Sequence, residues 1–247
     1  MDGTLTGSAA AGEPRTVDAG RGVAWWGEAW ALFTKAAGLW IVLTILLIVI
    51  AVVLSFIPLL GGLALALLMP VFIGSLMLAA RKVEGGGSLE VGDLFTCFKD
   101  DKLTPLLVVG GLLLACVIVI SLVVGALGLG ALFGVAAGGA AGSAGGIFAA
   151  LGAGLMALLV GFLLGVLVSM ATWFAPPLVV FGNRAPVDAI KASFAASLKN
   201  VVPFLLWGLI YIVAAIAASI PFGLGWIVLA PVLLLTVYVS YKDIFGG

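Results

Sequence analysis

The chain has 247 residues, 64% of them hydrophobic and 9% charged, and its formal net charge is zero. A water-soluble domain typically carries about 45–50% apolar and about 25% charged residues, so an ordinary soluble fold is excluded and lipid must solvate much of the surface. Balanced charge gives no reason to expect a nucleic-acid partner. With no histidine and only two cysteines, Cys97 and Cys116, no metal site, cofactor or disulfide framework is expected.

Residues 1–22 are small and polar and hold no apolar stretch of the kind a cleavable signal needs, so they are expected to form a flexible cytoplasmic tail. Beyond them, 23–247 reads as a single polytopic membrane domain. Its charges fall in blocks at 2–35, 81–102, 184–199 and the pair Lys242–Asp243. Between the blocks lie charge-free runs at 36–80, 103–183 and 200–241, of 45, 81 and 42 residues. One crossing needs about 20 apolar residues. The runs of 45 and 42 therefore hold two crossings each, turning near Pro58–Gly62 and Ile220–Gly223.

The 81-residue run has room for two or three crossings. With two, all 11 Lys and Arg share one side, as the positive-inside rule favours. The predicted helices are 38–57, 62–80, 104–127, 151–181, 202–219 and 223–241, with both termini cytoplasmic. The Gly/Ala-rich stretch 128–150 is left as an outer loop.

Each charge-free run is entered from a short segment with apolar residues at helical spacing: Trp26, Trp30 and Phe33; Val91, Leu94, Phe95 and Phe98; Val187, Ile190, Phe194 and Leu198. Such helices could lie in the headgroup plane or pack on the bundle. The second helix of each pair carries proline before its charged end, at Pro70, at Pro176 and Pro177, and at Pro231. Pro70 and Pro231 each precede a cation by 11 residues, about half the hydrocarbon thickness. Three kinks at one depth could frame a cavity, although proline is simply more frequent in membrane helices. The fold class is thus an all-α membrane protein. Its six transmembrane helices form three helix-pair repeats, each preceded by a short amphipathic cytoplasmic helix.

Glycine recurs every four residues at Gly130, Gly134, Gly138, Gly142 and Gly146, and again at Gly161 and Gly165. That spacing suits close helix packing, though a low-complexity loop explains 128–150 as well. The predicted spans contain no Asp, Glu, Lys, Arg or His, which disfavours a proton- or ion-coupled carrier. Their serines and threonines are expected to bond their own backbone. The acids of 81–102 read as a solvated face. No nucleophile–base constellation or phosphate loop is present.

Several strings resemble a bacterial inner-membrane family known only as hypothetical transmembrane proteins: RTVDAGRG at 15–22, SFIPLLGG at 55–62, ATWFAPPLVVF at 171–181, APVDAIKASFAASLKN at 185–200 and SYKDIF at 240–245. The likeness covers about 15–246 except 128–150. More distantly, the helix pairs resemble the membrane domain fused to some glycerophosphodiester phosphodiesterases, whose catalytic domain has no counterpart here. Neither resemblance supplies catalytic residues.

The expected role is that of a non-enzymatic inner-membrane protein. It would pack against lipids, a membrane-protein partner or copies of itself, as an envelope assembly or stress factor. The alternative is a carrier or flippase-like handler of an apolar or lipid molecule. Its path would be framed by the prolines and lined by Ser169, Thr172, Trp173 and Tyr211.

Overall fold

The computed structural model describes residues 12–137 and 143–246. Among these residues the regular structure is helical: α1 (Arg21–Thr34), α2 (Ala37–Ser55), α3 (Leu60–Glu84), a 3-10 helix (Val91–Phe98), α4 (Leu103–Ala137), α5 (Ala144–Thr172), α6 (Ala175–Val180), α7 (Pro186–Lys199), α8 (Val201–Ser219) and α9 (Trp226–Phe245). Six segments are long and apolar enough to cross a bilayer: α2, α3, Leu103–Gly130 of α4, Ala144–Val180, α8 and α9. The chain is an integral, multi-pass membrane protein.

It divides into two compact units, Met1–Gly111 with Ala171–Gly247, and Leu112–Met170. In the larger unit α3 and α9 are the most buried of the candidate spans. Val71, Met77, Ala80, Leu235 and Ile244 are almost completely covered. By contrast α8 turns Leu205, Leu209, Val213 and Ile216 outward, and α2 does the same with Ile48, Val49, Val52 and Val53. In water such faces would be a liability; in a bilayer they are the solvated surface.

The charged blocks, far apart in sequence, touch one another. Arg21 Nε donates to Asp243 Oδ2 at 2.5 Å, Lys242 Nζ to Glu84 Oε1 at 2.6 Å, and Lys199 Nζ to the Pro14 carbonyl at 3.2 Å. The ends of the 81-residue run meet as well, with Lys102 Nζ donating to Asn183 Oδ1 at 2.7 Å.

Two turns at the opposite ends of the helix pairs are built alike. Leu59, at φ 63°, precedes Gly61, and Gly223, at φ 82°, precedes Gly225. A Cβ on Gly61 would collide with the Leu54 carbonyl, and one on Gly225 with Ala218. In both turns the glycine packs on the backbone seven residues earlier, an approach only hydrogen permits. Pro70 and Pro231 lie inside α3 and α9 and are buried.

Three expectations need correction. The tail predicted to be flexible over 1–22 is held from residue 12 onward; residues 1–11 lie outside the described residues. Asn200 is fully buried and anchors it. Its Oδ1 accepts from Val17 N at 2.9 Å, and its Nδ2 donates to the Arg15 carbonyl at 3.0 Å. Arg15 N then donates to Ile244 O at 3.0 Å.

Second, much of the predicted loop 128–150 is helix, because α4 runs to Ala137 and α5 starts at Ala144. Backbone that cannot reach water satisfies itself best by staying helical, whatever its glycine content. Gly138 and Gly142 lie outside the described residues. Third, the predicted helix 151–181 is broken, since α5 ends at Thr172 and Pro176 opens α6. Proline at the first turn of a helix loses no hydrogen bond, so Pro176 and Pro177 start a helix here and do not kink one.

In the smaller unit α4 and α5 are covered by little, with Leu122, Leu155, Leu158 and Phe162 all exposed. Gly161 is the close-packing glycine of this pair: a Cβ there would lie 3.3 Å from Val124 Cγ2. At Gly165 a Cβ would meet nothing within 4 Å.

Candidate functional site

Two concavities of the larger unit lie along one seam between α3 and α9. The first is a charged cleft of about 430 Å³ at the end where the chain's charges gather. The N-terminal strap (residues 12–20) contributes Arg15, α1 contributes Arg21 and Glu28 with Lys35 just after it, α3 contributes Glu84, and α9 contributes Lys242 and Asp243.

Two of these carboxylates sit where a helix dipole disfavours them. Glu84 ends α3 and Asp243 lies in the last turns of α9, facing unsatisfied carbonyls. Each is compensated by donors. Asp243 accepts from Arg21 and, at 2.9 Å, from the indole Nε1 of the fully buried Trp25. Glu84 accepts from Lys242 and, at 2.8 Å, from the Tyr238 hydroxyl. Arg21 also reaches Glu28 at 2.8 Å. The hydrogen bond to Asp243 holds the Arg21 guanidinium above its ordinary value, against the opposing effect of burial. Lys35 lines the same cleft, is exposed, and has no ion pair or hydrogen bond from its side chain among the described residues.

The second concavity is an apolar pocket of about 400 Å³. From α2 it takes Trp40, Leu43, Thr44, Leu47, Ile48 and Ala51, from α3 Leu65, Met69 and Leu76, and from α9 Trp226, Ala230, Pro231 and Leu234. Its one hydroxyl is already used, since Thr44 Oγ1 donates to the Trp40 carbonyl at 2.9 Å. Trp40 is 1% exposed, and its Nε1 is a buried donor with no acceptor among the described residues. An unpaired buried N–H is costly in an apolar setting.

Of the predicted cavity residues, the pocket takes Pro231 directly and Met69, the neighbour of Pro70. Pro176 and Pro177 are buried elsewhere and do not line it. Nor do the four residues expected to line a path. Ser169 donates to its own helix at the Gly165 carbonyl, 2.9 Å away. Thr172 closes α5. Trp173 packs edge-on against Trp207 at 4.7 Å, and Tyr211 stacks on Trp207 at 5.5 Å. These two rings join Trp26, which stacks on Trp207 at 5.7 Å, in an aromatic cluster on α8.

The acids of 81–102 are engaged structurally. Asp93 Oδ2 accepts from Glu90 N at 2.8 Å, and Lys82 Nζ meets Asp93 at 3.1 Å, tying the 3-10 helix to α3. Cys97 N donates to the Ser75 hydroxyl at 3.0 Å, and burial pushes the Cys97 thiol up.

No family model, curated protein or solved structure matches the chain. Its function has to be read from the residues themselves.

The cleft escaped the sequence reading because its charges come from the strap, α1, α3 and α9. A signal was present in the acidic ends of α3 and α9, since a carboxylate against a helix C-terminus needs a cation from elsewhere.

Proposed function

We propose that this protein is a non-enzymatic, multi-pass protein of a bacterial inner membrane that engages membrane lipid through the α2–α3–α9 pocket. The apolar pocket beside Pro231 carries this reading. A bundle that acted only as a packing surface has no need of a 400 Å³ recess lined by leucine, isoleucine, tryptophan and proline. The recess lacks ionisable groups, which suits an acyl chain and offers nothing to an ion. Both termini are assigned to the cytoplasm, because all 11 Lys and Arg then lie on that side.

Three helix pairs with their preceding short helices are read as one repeated unit. The matching glycine turns at Gly61 and Gly225 and the internal prolines Pro70 and Pro231 support this for the first and third pairs. The likeness of the local strings to hypothetical bacterial inner-membrane proteins agrees with the assignment.

A second reading, contact with a membrane-protein partner or another copy, is favoured by α4 and α5. At 35 and 29 residues they are about 52 and 44 Å long, well beyond a hydrocarbon core of about 30 Å.

The lipid reading is tested by photo-crosslinking purified protein with a diazirine placed in the acyl chain. Crosslinks are expected on α2, α3 and α9 peptides lining the pocket, and to diminish in Ala230→Phe. Labelling confined to the outward faces of α8 and α5 would refute it. A reporter fused after Gly247 should be cytoplasmic and one inserted near Gly139 external; the reverse would overturn the orientation.

A further inference from the structure

The cleft and the pocket share α3 and α9; residues 15–35 complete the cleft where α2 completes the pocket. On α3 the pocket ends at Leu76 and the cleft begins at Glu84; on α9 the pocket ends at Leu234 and the cleft begins at Val239. At about 1.5 Å per residue these steps are about 12 Å on α3 and about 8 Å on α9, so the charged cleft sits one step along the seam from the apolar recess. On the remaining side Lys35 lines the cleft and Trp40 the pocket, five residues later.

The sequence of environments along the seam is therefore ionic, then an indole donor lacking an acceptor, then apolar. A glycerophospholipid presents the complementary order: charged phosphate, ester carbonyl, hydrocarbon. The cleft has four cations against three carboxylates. The carboxylates are engaged directly by Arg21 and Lys242, while Lys35 acts on Glu84 only through space and has no direct side-chain partner among the described residues, which leaves its ammonium open to a ligand.

We propose that cleft and pocket are one site for a membrane phospholipid with a net anionic headgroup, held by Lys35, with an acyl chain in the α2–α3–α9 recess. This rests on the lipid reading above and adds the headgroup. The phosphate lies against the Lys35 ammonium, an ester carbonyl falls at the level of Trp40, and the chain runs toward Ala51 and Leu65. A zwitterionic headgroup brings its own cation into a cleft already rich in them and is disfavoured.

The test is native mass spectrometry of the full chain in detergent. It is given equal amounts of phosphatidylglycerol and phosphatidylcholine with identical acyl chains, and separately glycerol phosphate. The wild type is expected to retain phosphatidylglycerol about fivefold over phosphatidylcholine, equivalent to about 1 kcal/mol. Lys35→Gln should bring that ratio close to one by lowering phosphatidylglycerol retention more than phosphatidylcholine retention, and Lys35→Arg should restore it. Ala230→Phe should lower retention of both lipids. Ala51→Leu, at the far end of the recess, repeats that test with a smaller intrusion should Ala230→Phe fold poorly.

Equal retention of the two lipids, both lowered by the pocket variants, would overturn the headgroup assignment and leave the lipid reading standing. Retention of glycerol phosphate as strong as that of the lipid, unaffected by the pocket variants, would show a plain anion site and overturn the shared site. Failure to retain either lipid would overturn both readings.

Discussion

Replacing Asp243 tests whether the two ends of the chain are joined by a specific network or merely crowd together. Its carboxylate is 15% exposed and accepts from Arg21 Nε at 2.5 Å and Trp25 Nε1 at 2.9 Å. Asp243→Ala removes a charge-assisted hydrogen bond, worth about 1.5–3 kcal/mol, and leaves the Trp25 donor buried without a partner, costing about 1–3 kcal/mol. Arg21 is 34% exposed and rehydrates, so its share belongs at the low end. Arg15 is 61% exposed at 3.7 Å and adds little.

Removing a negative charge from the end of α9 also gives back about 0.3–1 kcal/mol of dipole energy. The expected net loss is about 2–4 kcal/mol. Asp243→Asn keeps an oxygen for Trp25 and should lose about half as much. The assay is reversible unfolding in mixed micelles with increasing dodecyl sulfate, followed by tryptophan fluorescence. An Asp243→Ala protein within about 0.5 kcal/mol of wild type would refute the network. So would an asparagine variant as damaged as the alanine.

Other predictions follow the same geometry. Gly22→Ala places a Cβ into the Pro203 carbonyl where α1 crosses the start of α8, and should cost about 1–3 kcal/mol in the same assay. Asn200→Leu deletes the two strap hydrogen bonds made with Val17 and Arg15, together with the bond to Ala196 of α7. Limited proteolysis should then cut within residues 12–20 much faster than in wild type. Cys97 should resist a charged thiol reagent at pH 8 in the native protein and react fully in dodecyl sulfate. Because burial keeps its folded form protonated, stability should fall as pH rises past the ordinary thiol range, and a flat alkaline profile would contradict that.

The membrane helices were readable because an uncharged run bounded by charges leaves few ways to cross a bilayer. Predicted spans at 38–57 and 202–219 fall within two residues of α2 and α8 at both ends. What failed was local chemistry judged as though water were near. Glycine and alanine at 128–150 looked like a loop, but α4 continues through them to Ala137. The polar run 12–20 looked like a free tail, but one buried amide, Asn200, from a distant helix junction organises it. No local pattern announces such a partner. The prolines pointed to a cavity at Pro231 but not at Pro176, whose position at a helix start depends on the break after Thr172.

The strap has a consequence for how the molecule is made. Every group that holds residues 12–17 is synthesised late: Arg184, Lys199 and Asn200, and finally Asp243 and Ile244. Residues 12–17 must wait, unengaged, until α9 has been inserted. Arg15 and Arg21 therefore reach their places in the cleft only when α9 is complete. A chain stalled before Asp243 would carry its membrane helices without the ionic end that joins them.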